Sequence, residues 1–162
     1  MRDYIIMTDS CCDLSQQEVE ELELTVLPLS FTIEGKTLLN TPDHADMSPE
    51  EFFAKIAAGA DCTTAAANVG QFTDAMEKVL QEDKDILCVC FSSALSTTYQ
   101  SACIAAEDLR EKYPEAKILV IDSLSASRGQ GMLLYRAVRE RREKNLTIDE
   151  LDAYVRSIIQ SQ

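Results

Sequence analysis

Ile86-Leu87-Cys88-Val89-Cys90-Phe91, running straight into Ser92-Ser93-Ala94-Leu95-Ser96-Thr97-Thr98-Tyr99-Gln100-Ser101-Ala102, decides the fold. The first six residues are a continuous apolar run behind the charged pair Lys84-Asp85, with the length of a strand buried on both faces. Residues 99–113 read as a helix. A strand, a hydroxyl-rich loop and a helix start make the repeating unit of parallel α/β sheets, whose ligands bind in the crevice beyond the carboxyl ends of the strands. A helix start adds unpaired N–H groups and a partial positive charge, which suit a carboxylate or phosphate. Ser92, Ser93, Ser96, Thr97 and Thr98 crowd this point. Two readings fit them: helix caps and Ser/Thr turns, or contacts to a ligand. One hydroxyl suffices for a cap, so five tilt the balance toward a ligand.

Outward from this stretch the same unit recurs. Tyr4-Ile5-Ile6-Met7-Thr8 reads as a first strand ending in the polar loop Asp9-Ser10-Cys11-Cys12-Asp13. Ser15 and Glu18 form a capping box for a short helix through Leu22. Residues 24–31 are a second apolar run, and Pro28 inside it predicts an edge strand or a broken one. Glu34-Gly35 punctuates a hairpin between 31–33 and 37–39. Ser48-Pro49-Glu50-Glu51 is a strong helix start, with Phe52, Phe53, Ile56 and Ala57 as the apolar face and Gly59 as the stop. Residues 61–68 read as a second hydroxyl-bearing loop, followed by a helix over 71–81. Lys117-Ile118-Leu119-Val120-Ile121-Asp122 is another buried strand, and the helix after it is expected from Gly131 to Lys144, with Arg136, Arg139, Arg141 and Arg142 as a solvated face. Thr147 and Glu150 cap the last helix. The pattern predicts an α/β fold: a three-layer α/β/α domain over residues 1–162 with a mostly parallel sheet built on 5–8, 26–30, 86–91 and 118–121. Parallel strands would bring Ser10, Ser93 with Ser96, and Ser123 with Ser125 to one sheet edge.

The chain has 162 residues, with 15 Lys and Arg against 28 Asp and Glu and a formal net charge of -13. That charge argues against nucleic acid, whose binding depends on neutralising phosphates, and against an anionic membrane surface. No apolar run has the length of a membrane span, and the opening residues lack the look of a signal peptide. The expectation is a cytoplasmic protein with no membrane insertion. Cys11, Cys12, Cys62, Cys88, Cys90 and Cys103 are expected as reduced thiols: 88 and 90 share a strand face, and the adjacent 11 and 12 lack metal-ligand spacing. With His44 as the single histidine, a His-rich metal site is not expected, and no cofactor motif is present.

Taken together, Thr8-Asp9-Ser10 with Asp13-Leu14, Val26-Leu27-Pro28-Leu29-Ser30, Ile33-Glu34-Gly35-Lys36, Ser48-Pro49-Glu50-Glu51-Phe52-Phe53, Thr63-Thr64, the Ser92 to Ala102 stretch, and Ile121-Asp122-Ser123 with Gly129 and Gly131 resemble the DegV family of bacterial fatty-acid-binding proteins, which includes the binding subunits of fatty acid kinase. The resemblance implies that this chain corresponds to the N-terminal domain only, the second, lipid-covering domain being absent from it. It implies a long-chain fatty acid whose carboxylate is held by Thr64 and Ser96, with Ser93, Thr97 and Ser10 as further candidate contacts. It implies a kinase catalytic subunit as partner, which would make the acyl phosphate, and an exposed apolar surface through which an isolated domain self-associates. Two departures stand out. Thr64-Ala65-Ala66-Ala67 replaces a pattern with a second hydroxyl and a Pro, and Ser96-Thr97-Thr98-Tyr99 lacks a Gly after the Ser.

A serine nucleophile would need a base within hydrogen-bond reach, and the chain has neither a Gly-x-Ser-x-Gly elbow nor a phosphate-binding glycine loop. Glu20/Glu21 and Glu50/Glu51 are adjacent on helices and point apart. The residues therefore predict a non-catalytic binder. The alternative is an enzyme acting on a small phosphorylated or carboxylated metabolite at the same loops, which would call for a small polar cleft instead of an apolar one.

Overall fold

The structure, a computed structural model, describes residues 2–159. Its elements follow in chain order: β1 (Tyr4–Asp9), a 3-10 turn (Ser10–Cys12), α1 (Gln16–Glu21), β2 (Leu24–Leu27), β3 (Leu29–Ile33), β4 (Lys36–Asn40), α2 (Pro49–Ala57), β5 (Cys62–Ala65), α3 (Val69–Leu80), β6 (Asp85–Cys90), α4 (Thr98–Lys112), β7 (Ile118–Asp122), α5 (Ser127–Lys144) and α6 (Ile148–Ile159). Strands β2, β1, β6 and β7, in that order, form a parallel sheet. Side chains alternate across it, as the two-residue strand period requires. Leu87 and Val89 pack with Val19, Leu134, Leu151 and Val155 beneath α1, α5 and α6. Ile86, Cys88 and Cys90 pack with Phe72, Met76, Ala102 and Ala106 beneath α3 and α4. Both faces are covered, and the three layers follow.

The expected strand over 26–30 is corrected at Pro28. Lacking an N–H, proline ends the parallel ladder, so β2 closes at Leu27. From Leu29 the chain turns into a second sheet, β4-β3-β5, which is antiparallel throughout. The hairpin at Glu34-Gly35 stands where its glycine places it, with Gly35 at φ 76°. The expected loop over 61–68 contains strand β5, which sets Thr64 opposite Phe31 and Thr63 opposite Thr32. Helix α2 has its Ser48 cap, but none of its residues is buried, and Phe53 keeps 67% of its surface exposed.

Helix α5 starts at Ser127, four residues before its expected position, and it takes both glycines inside it. Its arginines are not merely a solvated face. Arg141 stacks 4.0 Å from the Tyr4 ring centroid and donates to the Tyr4 carbonyl at 2.8 Å, and Arg142 donates to the Glu21 carbonyl at 2.8 Å. Arginines also guard the free edge at β7: Arg110 donates twice to the Ile118 carbonyl and Arg156 once to that of Val120. These bonds take acceptors that an unprotected edge would offer to another strand.

Candidate functional site

At the carboxyl edge of the parallel sheet the small antiparallel sheet stands away from it and leaves a cleft of about 510 Å³. One wall comes from the segments after β1 and β6, with Cys11, Asp13, Phe91, Leu95 and Ser96. The other comes from Leu29 and Phe31 on β3, from Thr64 on β5, and from Phe52 and Phe53 on α2. Phe31 meets Phe52 edge to face with centroids 5.5 Å apart, and Phe52 meets Phe53 at 5.4 Å. A Lys55–Glu34 ion pair at 2.7 Å ties α2 to the β3–β4 turn. The flap of α2 thus presents aromatic rings to the cleft.

Thr64 and Ser96, from segments distant in sequence, line this one cleft. Thr64 is exposed, because β5 is a short strand with nothing packed over it. Ser96 is half-buried. Its Oγ accepts from Thr98 N–H at 3.2 Å and shares a 2.9 Å bond with the Thr98 hydroxyl. It is Ser96, two residues ahead of the amide, that meets this orphan donor, while Thr97 at the N-cap makes no side-chain cap bond. The two readings of the hydroxyl cluster therefore fall on the same atom. When the fully buried Thr98 donates its hydroxyl proton to Ser96, the Ser96 proton is free to point into the cleft.

The other candidates sit elsewhere. Thr97 is exposed and does not line the cleft. Ser93 is exposed at the loop tip, and its N–H donates to Asp122 Oδ1 at 3.1 Å. Ser10 is buried, and its Oγ accepts from Leu29 N–H at 2.9 Å and from Asn40 Nδ2 at 3.3 Å, which pins β3 to the end of β1. It lies against a smaller pocket of about 210 Å³ that shares Asp13, Asn40 and His44 with the cleft.

Asp13 is the one acidic side chain lining the cleft and His44 the one imidazole, with no Lys or Arg among the lining residues. Burial pushes the Cys11 thiol up to about 12, with the carboxylates of Asp9 and Asp13 adding to it, and pushes Cys12 up to about 11. Both stay protonated at neutral pH and are poor nucleophiles. Cys88 and Cys90 bring their sulfurs within 3.5 Å on one strand face, and all six cysteines are free thiols. No cluster of three His, Cys, Asp or Glu side chains able to hold a metal ion occurs among the described residues, and no described helix is long and apolar enough to cross a membrane.

Sequence reasoning missed the aromatic lining as a set, and it missed Asp9 and Asp122. A signal for the two carboxylates was present: both β1 and β7 end in an Asp followed by a Ser, and the aspartate is the member that reaches across to the segment after β6.

This geometry defines a class: a three-layer α/β protein with a hydroxyl-and-aromatic cleft at the carboxyl edge of its parallel sheet. The chain belongs to the DegV family. The family model "Uncharacterised protein, DegV family" matches residues 4–162. A DegV domain-containing protein of Clostridium perfringens is 36% identical over 155 residues, which are 96% of this chain and 53% of that protein. A DegV domain-containing 15.5 kDa protein of Staphylococcus aureus is 36% identical over 138 residues, 85% of this chain and 93% of that one. The chain spans about half the length of most curated relatives it matches. Among solved structures, a fatty-acid-binding DegV family protein from Thermus thermophilus superposes with a TM-score of 0.84 at 29% identity, covering 99% of this chain and 54% of that one. A stearic acid-binding protein from Eubacterium ventriosum gives 0.83 at 26%, covering 94% and 52%.

Proposed function

We propose that this chain binds a long-chain fatty acid, with Thr64 and Ser96 holding the carboxylate and Phe31, Phe52, Phe53 and Leu95 receiving the tail. One observation carries the reading: two hydroxyls from separate segments line one cleft with four phenylalanines, Leu29, Leu95 and Met47, beside a polar end formed by Asp13, Ser30, Asn40 and His44. The fatty acids bound by the Thermus thermophilus and Eubacterium ventriosum relatives support the ligand class. The role is non-catalytic. The Ser96 hydroxyl is engaged with Thr98, and the buried thiols stay protonated. The bound carboxylate is presented to a kinase subunit, whose chemistry makes the acyl phosphate, and the family resemblance supports that partner. The free thiols fit a reducing, cytoplasmic setting.

Each hydroxyl donates one hydrogen bond to the carboxylate, and bonds to a charged acceptor are worth about 1.5–3 kcal/mol. Ser96→Ala should therefore weaken binding of dodecanoate about tenfold, read by titration beside the melting temperature. Unchanged affinity, or a melting temperature low enough to explain the loss, would return Ser96 to the part of a helix cap.

Phe53 and Leu95 are each 67% exposed, so this half of the site leaves much of a tail in water. At about 0.8 kcal/mol per buried methylene, the shortfall is large. The 162-residue chain alone should bind dodecanoate no tighter than about 0.1 mM, which is about −5.5 kcal/mol, and should self-associate through the open cleft. Binding clearly tighter than about 0.1 mM by a chain that sediments as a monomer would contradict both points.

A further inference from the structure

Two aspartates outside the lining of the cleft hold the loop that carries Ser96. Asp9 is the last residue of β1 and Asp122 the last of β7, the strands on either side of β6. Each reaches across the end of β6 to a backbone amide. Phe91 N–H donates to Asp9 Oδ2 at 2.7 Å, and Ser93 N–H donates to Asp122 Oδ1 at 3.1 Å. Between these anchors Ser92 N–H donates to the Ser125 carbonyl at 3.0 Å. The Ser92 carbonyl then accepts from the amides of Leu95 and Ser96 at 3.0 and 3.1 Å. One tight turn thus leads from the doubly anchored residues to the hydroxyl in the cleft.

We propose that Asp9 and Asp122 are positioning residues for the head-group site: by clamping the backbone of residues 91–93 from both flanking strands, they fix where the Ser96 hydroxyl stands in the cleft it shares with Thr64. The proposal rests on the head-group reading of Ser96 given above. A carboxyl oxygen that accepts from a backbone amide at hydrogen-bond distance fixes where that amide stands, which suits a clamp at the end of a strand. The same bonds decide what the loop offers a ligand. The amides of Phe91, Ser92 and Ser93 are all taken by oxygens of the protein, so these three are not open to an anion.

The two clamps differ in a way that makes the idea testable. Asp9 is completely buried and uses both oxygens, because Oδ1 also accepts from Cys11 N–H and Gln130 Nε2. Asp122 is half-buried, and both of its donors, the amides of Ser93 and Leu124, converge on Oδ1. An asparagine carbonyl oxygen can replace a single accepting oxygen, whereas alanine cannot. The experiment compares Asp122→Ala with Asp122→Asn in the whole chain. Amide hydrogen exchange is read without ligand, and dodecanoate affinity by titration.

Asp122→Ala should speed exchange at Ser93 and Leu124 about tenfold and weaken dodecanoate about fivefold, with Leu87 and Val89 in the core unchanged. Asp122→Asn should bring both readouts back to within about twofold of the parent. Exchange at Ser93 that alanine leaves unchanged overturns the clamp. Faster exchange with unchanged affinity overturns its bearing on the site. An asparagine variant as weak as the alanine one overturns positioning in favour of charge. Ser96→Ala measured in parallel separates the layers: if it leaves dodecanoate affinity unchanged, the head-group reading fails, while the ligand-free exchange still judges the clamp.

Discussion

Asp9→Ala should lower the free energy of unfolding by about 3 kcal/mol, among the largest single-residue effects expected in this chain. Asp9 is fully buried and accepts from Phe91 N–H, Cys11 N–H and Gln130 Nε2. Each buried donor left without an acceptor costs about 1–3 kcal/mol, and water entering the space left by alanine recovers only part of that. The carboxylate has no cationic partner among these bonds, and the nearby Cys11 and Cys12 stay neutral. Burial is the main cause that pushes its carboxyl above the usual range, against the hydrogen bonds that lower it. The native state therefore holds the Asp9 proton more firmly than the unfolded chain does, so the stability that Asp9 contributes is fully present below its unfolded value. It declines as the pH rises through the higher folded value. The gap in stability between wild type and Asp9→Ala should thus be wider near pH 4 than at pH 7. Urea denaturation at the two pH values measures it; a gap that narrows on acidification would show that the ionised form is the one the fold prefers.

The two glycines at the start of α5 should answer the same substitution with opposite signs. A Cβ at Gly131 would lie 2.8 Å from the Cys12 carbonyl oxygen and 2.9 Å from Leu14 Cδ2, where α5 presses on the 3-10 turn. The 3-10 turn that carries this oxygen is tied at both ends, by Cys11 N–H to the Asp9 side chain and Asp13 N–H to the Ser10 carbonyl, so Gly131→Ala should cost about 2 kcal/mol even after its gain in helix propensity. A Cβ at Gly129 would meet only Ser125 atoms at 3.5 and 3.7 Å, ordinary contact distances. Gly129→Ala should be neutral or stabilise by up to about 1 kcal/mol. Melting temperatures of the two variants, measured side by side, check this, and equal shifts would show that helix packing at Gly131 is looser than the distances imply.

Those glycines also explain where the sequence was hard to read. Gly129 and Gly131 look like loop punctuation, which places residues 123–130 in a loop, but glycine at 131 serves a close approach inside a helix. The layered core was legible because 86–91 and 118–121 are apolar without alternation, which only a sheet covered on both faces requires. The antiparallel sheet was half legible. Its hairpin was marked by Glu34-Gly35, but β5 is four small or hydroxyl-bearing residues that pair with β3 without burying a side chain of their own. The convergence of Thr64 and Ser96 depends on that unseen strand, so only the family resemblance, and not the pattern, put them at one site. Asp9 and Asp122 were hidden for another reason. A carboxylate at a strand end reads as a turn residue, and only the strand order shows that each can reach an amide of β6's loop.

That strand order has a consequence for how the chain is made. The innermost ladder joins β1 to β6, and the Thr8 hydroxyl reaches the Val89 carbonyl across 81 residues of sequence. On the ribosome, β1 emerges long before its central partner and must wait, with Ile6 and Met7 unsheltered, while the local β3–β4 hairpin can close at once. Pairings of such long reach form slowly and leave apolar strands open to wrong partners in the meantime. Nascent chains halted before β6 should remain sensitive to protease, and those that include β7 and α5 should be the first to resist it.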